Sequence, residues 1–233
     1  MTGADVLICI PKVLDAEALA VLRARLEAAG DAWVDGRVTA GHQGAPVKFN
    51  QQIDERAEVA HACQDIVASA LERHPTFISA ALPNLLYPPM FNRYGPGMSF
   101  GLHVDGGVRI HPHTGRKLRT DLSGTLFLSD PSSYDGGELQ MEDTHGMQTV
   151  KLAAGDLVLY PATSVHRVAP ITRGTRVACF FWVQSLVRDA GDRALLFDMD
   201  NAIQRLNQSG ADEAARRTLT GVYHNLLRKW SDT

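Results

Sequence analysis

From Phe77 to Val183 the sequence is cut into short runs of apolar, β-branched and aromatic residues by clusters of Gly, Pro, Asp and Ser. Runs of this length, bounded by turn-forming residues, predict many short strands that close on themselves as a barrel or sandwich. Leu85 to Tyr94 reads as a long strand turned by Gly95-Pro96-Gly97, and Asp121 to Leu128 as another. The turn-rich segment Asp130 to Gly137 precedes three shorter strands, at Glu138 to Met141, Met147 to Leu152 and Asp156 to Tyr160. Val165 to Val168 and Arg176 to Val183 flank a turn at Pro170 and Gly174, which predicts an antiparallel hairpin. The expected fold is mainly β with flanking α, a double-stranded β-helix or jelly roll.

Helical patterns lie on either side. Asp15 is a plausible N-cap for a helix carrying Leu19, Leu22 and Leu26 and stopping at Gly30, after an opening strand at Val6 to Ile10. Val59, Cys63, Ile66, Val67, Ala70 and Leu71 form the stripe of a second helix from about Asp54 to Arg73. The polar stretch Asp31 to Gln52 between them is expected to be mostly irregular, with Lys48-Phe49-Asn50-Gln51-Gln52 lining a site. After Gln184, Leu195, Leu196, Met199, Ile203 and Leu206 mark one helix, broken at Asn207 to Gly210. Leu219, Val222, Tyr223, Leu226, Leu227 and Trp230 mark another. The expected division is a jelly-roll domain at 1–183 with an N-terminal helical layer, then a helical segment at 184–233. That segment would cover a barrel edge or form a homodimer interface.

Charge narrows the function classes. With Lys+Arg 23 against Asp+Glu 26, no global basic field exists to hold nucleic acid. The apolar run ending at Ile10 is stopped by Pro11 and Lys12, too short for a membrane span, so no membrane partner and a cytoplasmic location are expected. Cys9, Cys63 and Cys179 are scattered and read as small buried hydrophobes.

Chemistry concentrates in Phe100-Gly101-Leu102-His103-Val104-Asp105-Gly106. In a strand, side chains two residues apart leave the same face, so His103 and Asp105 could share an ion. His166 is the candidate third ligand, and two histidines with one carboxylate suit non-haem iron(II) and oxygen. Arg176 follows ten residues later, at the head of the apolar run Val177 to Trp182. A guanidinium there needs an anionic partner, such as a dicarboxylate co-substrate. The expected hairpin would place it nearly opposite His166. Taken singly, these residues read as a surface ion pair, a satisfied core histidine and a solvated edge residue; their combination favours one shared site.

The segments Tyr94-Gly95-Pro96-Gly97, His103-Val104-Asp105-Gly106, Arg119-Thr120-Asp121-Leu122-Ser123, Tyr134-Asp135-Gly136-Gly137-Glu138-Leu139, Ala154-Gly155-Asp156-Leu157-Val158-Leu159-Tyr160-Pro161, His166-Arg167-Val168 and Arg173-Gly174-Thr175-Arg176 resemble the bacterial PKHD-type hydroxylases. These are iron(II) and 2-oxoglutarate dioxygenases related to the prolyl 4-hydroxylase catalytic domain, and the resemblance covers nearly the whole chain. It implies iron(II) on His103, Asp105 and His166, and 2-oxoglutarate held by Arg176. Tyr94 would stand near 2-oxoglutarate, although a half-buried barrel tyrosine is an equal reading. The implied reaction uses O2 to hydroxylate a small-molecule or peptidyl substrate with release of succinate and CO2, and L-ascorbate dependence is implied by the family alone. Asp105 favours hydroxylation over halogenation, because a halide would need the carboxylate's coordination position. A cupin-like binding or sensing protein and a metal-dependent isomerase are the competing readings. Asn50, Gln52 and Glu138 are weaker candidates to face substrate. The basic stretch Arg109 to Arg119, with His111 and His113, reads as a solvated loop or as an attractor of acidic substrate.

Overall fold

The computed structural model describes residues 7–41, 44–143, 146–210 and 212–232. Val6, at the head of the expected opening strand, lies outside them.

The alternation expected from the sequence builds two facing antiparallel sheets. In the major sheet, Ile8–Ile10, Leu157–Pro161, Leu122–Phe127, Arg176–Ser185, Met90–Tyr94, Gln51–Ile53 and Trp33–Asp35 lie side by side, and Pro83–Leu86 also pairs with Arg176–Ser185. In the minor sheet the order is Gly146–Val150, Leu139–Asp143, His166–Val168, Ser99–His103 and Lys48–Phe49. On Arg176–Ser185, Val177, Cys179, Phe181 and Val183 join the core beneath the N-terminal helices. Arg176, Phe180 and Trp182, of opposite parity, line a cavity facing the minor sheet. On Leu122–Phe127, likewise, Leu122 and Leu126 face the helices while Ser123 and Thr125 face the cavity. A one-residue slip would exchange core for site, so burial of the apolar parity fixes where the polar parity points.

The helices differ from the expected pattern at their ends. Asp15 caps α1 (Ala16–Glu27) by accepting from the Ala18 amide at 2.8 Å, and the helix stops at Glu27, before Gly30. Its partner α2 spans Glu58–Arg73, and a further short helix, α3 (Pro75–Ala81), occupies the point where strands were expected to begin. Pro75 suits the first turn of α3, where no amide donor is needed. Trp33–Asp35 and Gln51–Ile53 add two strands at the end of the major sheet in a region expected to be irregular, anchored by Trp33 Nε1 donating to the Leu26 carbonyl at 3.0 Å.

The expected strand at Leu85 to Tyr94 is two strands, because Pro88 and Pro89 offer no amide donors to a ladder. The expected loop after Asp105 contains a hairpin, Val108–Ile110 with Lys117–Arg119, held on the body by fully buried Leu118. The hairpin expected between Val165 to Val168 and Arg176 to Val183 does not form. His166–Val168 stays in the minor sheet, Ile171–Arg173 pairs with Asp135–Gly136, and Arg176 enters the major sheet opposite Tyr94. Gly136, at φ +76°, makes this crossing feasible: a Cβ there would stand 2.0 Å from the Pro170 carbonyl oxygen.

At the C-terminus, α4 (Ala190–Ser209) continues through the expected break and ends at Gly210 in a left-handed conformation. Leu196 and Ile203 are its buried apolar residues, whereas Leu195 is exposed. Tyr223, Leu226, Leu227 and Trp230 of α5 (Glu213–Trp230) pack against Leu82, Val187 and Leu196. Asp232 closes the arrangement, its amide donating to the Leu186 carbonyl at 2.7 Å and its carboxylate meeting Arg119 at 3.2 Å. Cys63 and Cys179 are buried as expected; Cys9 is exposed, facing away from the core between inward Ile8 and Ile10 neighbours. Among the described residues no helix is long and apolar enough to cross a membrane.

Candidate active site

The metal-ligand candidates meet where the minor sheet ends. His103 is the last residue of its strand and lies directly across the ladder from His166. Asp105 lies beyond the strand, so extended-chain alternation does not position it as the sequence suggested. Hydrogen bonds do so instead. Ser123, on the major sheet, donates its hydroxyl to Asp105 Oδ2 at 2.6 Å, and Thr120 Oγ1 donates to the Gly106 carbonyl at 2.7 Å. One ligand atom from each of His103, Asp105 and His166 lies within 4.8 Å of the others, and His166 Nε2 is 3.8 Å from Asp105 Oδ2.

The surroundings prepare both imidazoles for ligation. His103 Nδ1 lies 2.8 Å from the Gly101 carbonyl oxygen, and His166 Nδ1 lies 3.0 Å from that of Ser164. A proton on each Nδ1 donates to its carbonyl, leaving each Nε2 with a lone pair. Burial, reinforced by the neighbouring His166, pushes the His103 pKa down to about 4, so at neutral pH the ring is uncharged. Phe100 stacks on it with centroids 3.6 Å apart. Two imidazoles and a carboxylate on one wall of an open cavity fit ferrous iron.

Arg176 faces the same cavity, of about 610 Å3, from the major sheet. Its side chain is 1% exposed, and Nε has no hydrogen-bond partner. Aromatic rings surround it, with Tyr94 and Phe127 centroids 5.5 and 5.3 Å from the guanidinium carbon. Among the described residues no carboxylate pairs with it within 4.0 Å. A buried charge left in this condition is costly unless a ligand completes it, and a carboxylate matches its planar donors. The residues present therefore fit both iron and 2-oxoglutarate. Tyr94 also lines the cavity and is fully buried, which pushes its hydroxyl pKa up to about 12 and keeps it a hydrogen-bond donor. Tyr160, with its ring 5.2 Å from that of His166, is pushed higher still by burial and by the charge of Asp105.

The weaker candidates separate. Lys48 lines the cavity, whereas Phe49 is 56% exposed, and Asn50, Gln52 and Glu138 are not part of the lining. Gln52 acts through Lys48, whose ammonium donates to its Oε1. Within the basic stretch, Arg109 turns into the cavity and stacks on Trp182, with 3.6 Å to the ring centroid. Arg119 is instead held by Asp121 at 2.6 Å, and Arg173 forms an exposed pair with Asp135. His111 and His113 remain outside the cavity lining. Ser123, Tyr160 and Trp182 were not singled out from the sequence; only their parity within the strands marked them.

Comparisons with known proteins place the chain in a family. Residues 89–184 match the 2OG-Fe(II) oxygenase superfamily, and residues 190–232 match the PKHD-type hydroxylase C-terminal domain. The chain is 75% identical over 227 residues to a PKHD-type hydroxylase of Cupriavidus metallidurans, covering 97% of this chain and 100% of that one. A Pseudomonas putida prolyl-4-hydroxylase shares the fold at TM-score 0.51 and 22% identity, over 77% of this chain and 92% of that chain. So does a Trichoplax adhaerens prolyl hydroxylase in complex with a hypoxia inducible factor peptide fragment, at TM-score 0.54 and 16% identity, over 81% and 86% of the respective chains. The chain belongs to the PKHD-type hydroxylases, within the 2OG-Fe(II) oxygenases.

Proposed function

We propose that this protein hydroxylates a C–H bond of a small-molecule or peptidyl substrate, an amino acid or a siderophore-like metabolite included, consuming O2 and 2-oxoglutarate and releasing succinate and CO2. The observation that carries the reading is the shared cavity: His103, Asp105 and His166 on one wall, and the unpaired guanidinium of Arg176 on another. In this reading the three ligands would hold ferrous iron, which would activate O2 as the oxidant, and Arg176 would receive the distal carboxylate of 2-oxoglutarate. Tyr94 offers its protonated hydroxyl to the same co-substrate. Ser123 keeps Asp105 oriented, and the carbonyls of Gly101 and Ser164 keep the imidazoles in the ligating tautomer. L-Ascorbate would be the reductant that keeps the bound iron ferrous. The oxygenase unit is 1–183, and 184–233 is a helical appendage docked beside it.

The test is aerobic turnover of the iron-loaded protein with 2-oxoglutarate and cell lysate, followed by mass spectrometry. Succinate together with a lysate component heavier by one oxygen atom is expected. Bound iron and 2-oxoglutarate with neither succinate nor an oxidised product would leave a binding protein instead.

A further inference from the structure

The oxygenase reading leaves two cavity cations without a role. Asp105 is the only acidic residue among the described residues lining the cavity, against Lys48, Arg109 and Arg176. Ferrous iron, doubly charged 2-oxoglutarate, Asp105 and Arg176 are together neutral. Lys48 and Arg109 are then left uncompensated.

Lys48 is unusual for a lysine, at 6% exposure. Its ammonium donates to Thr39 Oγ1 at 3.1 Å and to Gln52 Oε1, both neutral acceptors, while the rings of Phe100 and Phe180 stand 5.3 and 5.8 Å away. Two of its three donors are thereby used. Arg109 lies over the Trp182 ring and 5.3 Å from the Tyr87 ring, with Nε buried and unpartnered. Among the described residues no carboxylate comes within 4.0 Å of either cation. Asp105, Asp35 and Glu55 act on Lys48 only at longer range, and Glu55 is engaged by the Tyr87 hydroxyl at 3.3 Å. Burial and the positive charge of Arg109 lower the Lys48 pKa to about 8, a penalty an incoming anion would relieve. Around the mouth, Val38, Val104, Val108 and Ile110 are all more than half exposed.

Resting on the oxygenase reading, we propose that the substrate is an organic anion: a carboxylate received by Lys48 and Arg109, on an apolar or aromatic body that covers the apolar mouth. The two cations come from different elements, the edge strand Lys48–Phe49 and the hairpin strand Val108–Ile110, and both line the same cavity. Orientation follows, since a body anchored by its charge presents a fixed carbon to the metal wall.

The probes are benzoate and its neutral isostere benzamide, titrated calorimetrically into protein loaded with manganese(II) and saturating 2-oxoglutarate. Benzoate is expected to bind at least tenfold tighter than benzamide without displacing 2-oxoglutarate. Lys48→Met should bring the two within twofold while 2-oxoglutarate affinity changes less than threefold. Arg109→Gln, on the hairpin strand Val108–Ile110, should weaken benzoate three- to tenfold. Benzoate binding no tighter than benzamide, benzoate displacing 2-oxoglutarate, or a preference that survives both substitutions overturns the proposal. A protein that binds no 2-oxoglutarate overturns the oxygenase reading itself, and this proposal with it; that failure is seen before any benzoate is added.

Discussion

The two sheets hold different halves of the chemistry and are built to different standards. The major sheet centres on Leu122–Phe127, with all six residues buried, and the ten-residue strand Arg176–Ser185, flanked on both sides and backed by helices. From it come Arg176 and Tyr94, groups suited to an organic dianion. The minor sheet has strands of two to five residues, and Gly146–Val150 at its edge is exposed except at Val150. From it come both histidines. A rigid, doubly covered sheet can keep an unpaired guanidinium buried, because neighbouring ladders leave it nowhere to go. A lightly built sheet can carry metal ligands because the metal itself fastens the strands together. The difference predicts that metal binding and co-substrate binding can be removed separately.

Asp105→Ala tests the metal half and should give the largest effect. Iron(II) affinity falls by more than about 100-fold, beyond what loss of an outer hydrogen-bond partner causes. Titration with metal reads it, and unchanged affinity would show that the ion sits elsewhere. Arg176→Met tests the other half. 2-Oxoglutarate affinity falls by about 2–5 kcal/mol while iron affinity is retained. Without ligands the same variant should melt a few degrees higher than the parent, because an unpaired buried charge is replaced by an apolar side chain of similar length. A lower melting temperature would mean that the guanidinium is satisfied within the protein.

Ser123→Ala probes the seam, since this major-sheet hydroxyl holds a minor-sheet ligand. Iron affinity should drop about tenfold, with 2-oxoglutarate affinity following only through the metal. A further test concerns the minor sheet's edge. The folded-state pKa of Lys48, about 8, lies below its ordinary value of 10.5. Between these values the unfolded chain binds more protons, so this residue makes stability rise with pH from about 8 to 10. The parent should gain about 1 kcal/mol per pH unit relative to Lys48→Met across that window, measured by denaturant titration. Parallel curves would mean that Lys48 is not strongly desolvated.

The strand-rich core and the helical layers were legible because each rests on a short-range pattern, and the four residues proposed for the site were chosen on local patterns of the same kind. Parity told which side chains leave one face, and an arginine heading an apolar strand announced a buried cation. Pairing was not legible. Local turn signals at Pro170 and Gly174 favoured a hairpin between His166 and Arg176, and the chain instead crosses between sheets through the close approach at Gly136, which only tertiary contact reveals. Asp105 was expected on the His103 strand, yet hydrogen bonds from a different sheet hold it in place. Lys48 had no reason to look buried from its neighbours in sequence, because the rings that enclose it, Phe100 and Phe180, lie far along the chain. The hairpin at 108–119 read as a loop since its strands have three residues each and only Leu118 is fully buried.

The most direct measurement is the visible absorption spectrum of the protein under anaerobic conditions, with iron(II) and 2-oxoglutarate added singly and together. A weak metal-to-ligand charge-transfer band is predicted only when both are present, absent in Asp105→Ala and recovered in Arg176→Met at much higher 2-oxoglutarate. A wild-type protein that shows no such band with both components in excess would contradict the meeting of His103, Asp105 and His166 with Arg176 around one reaction centre.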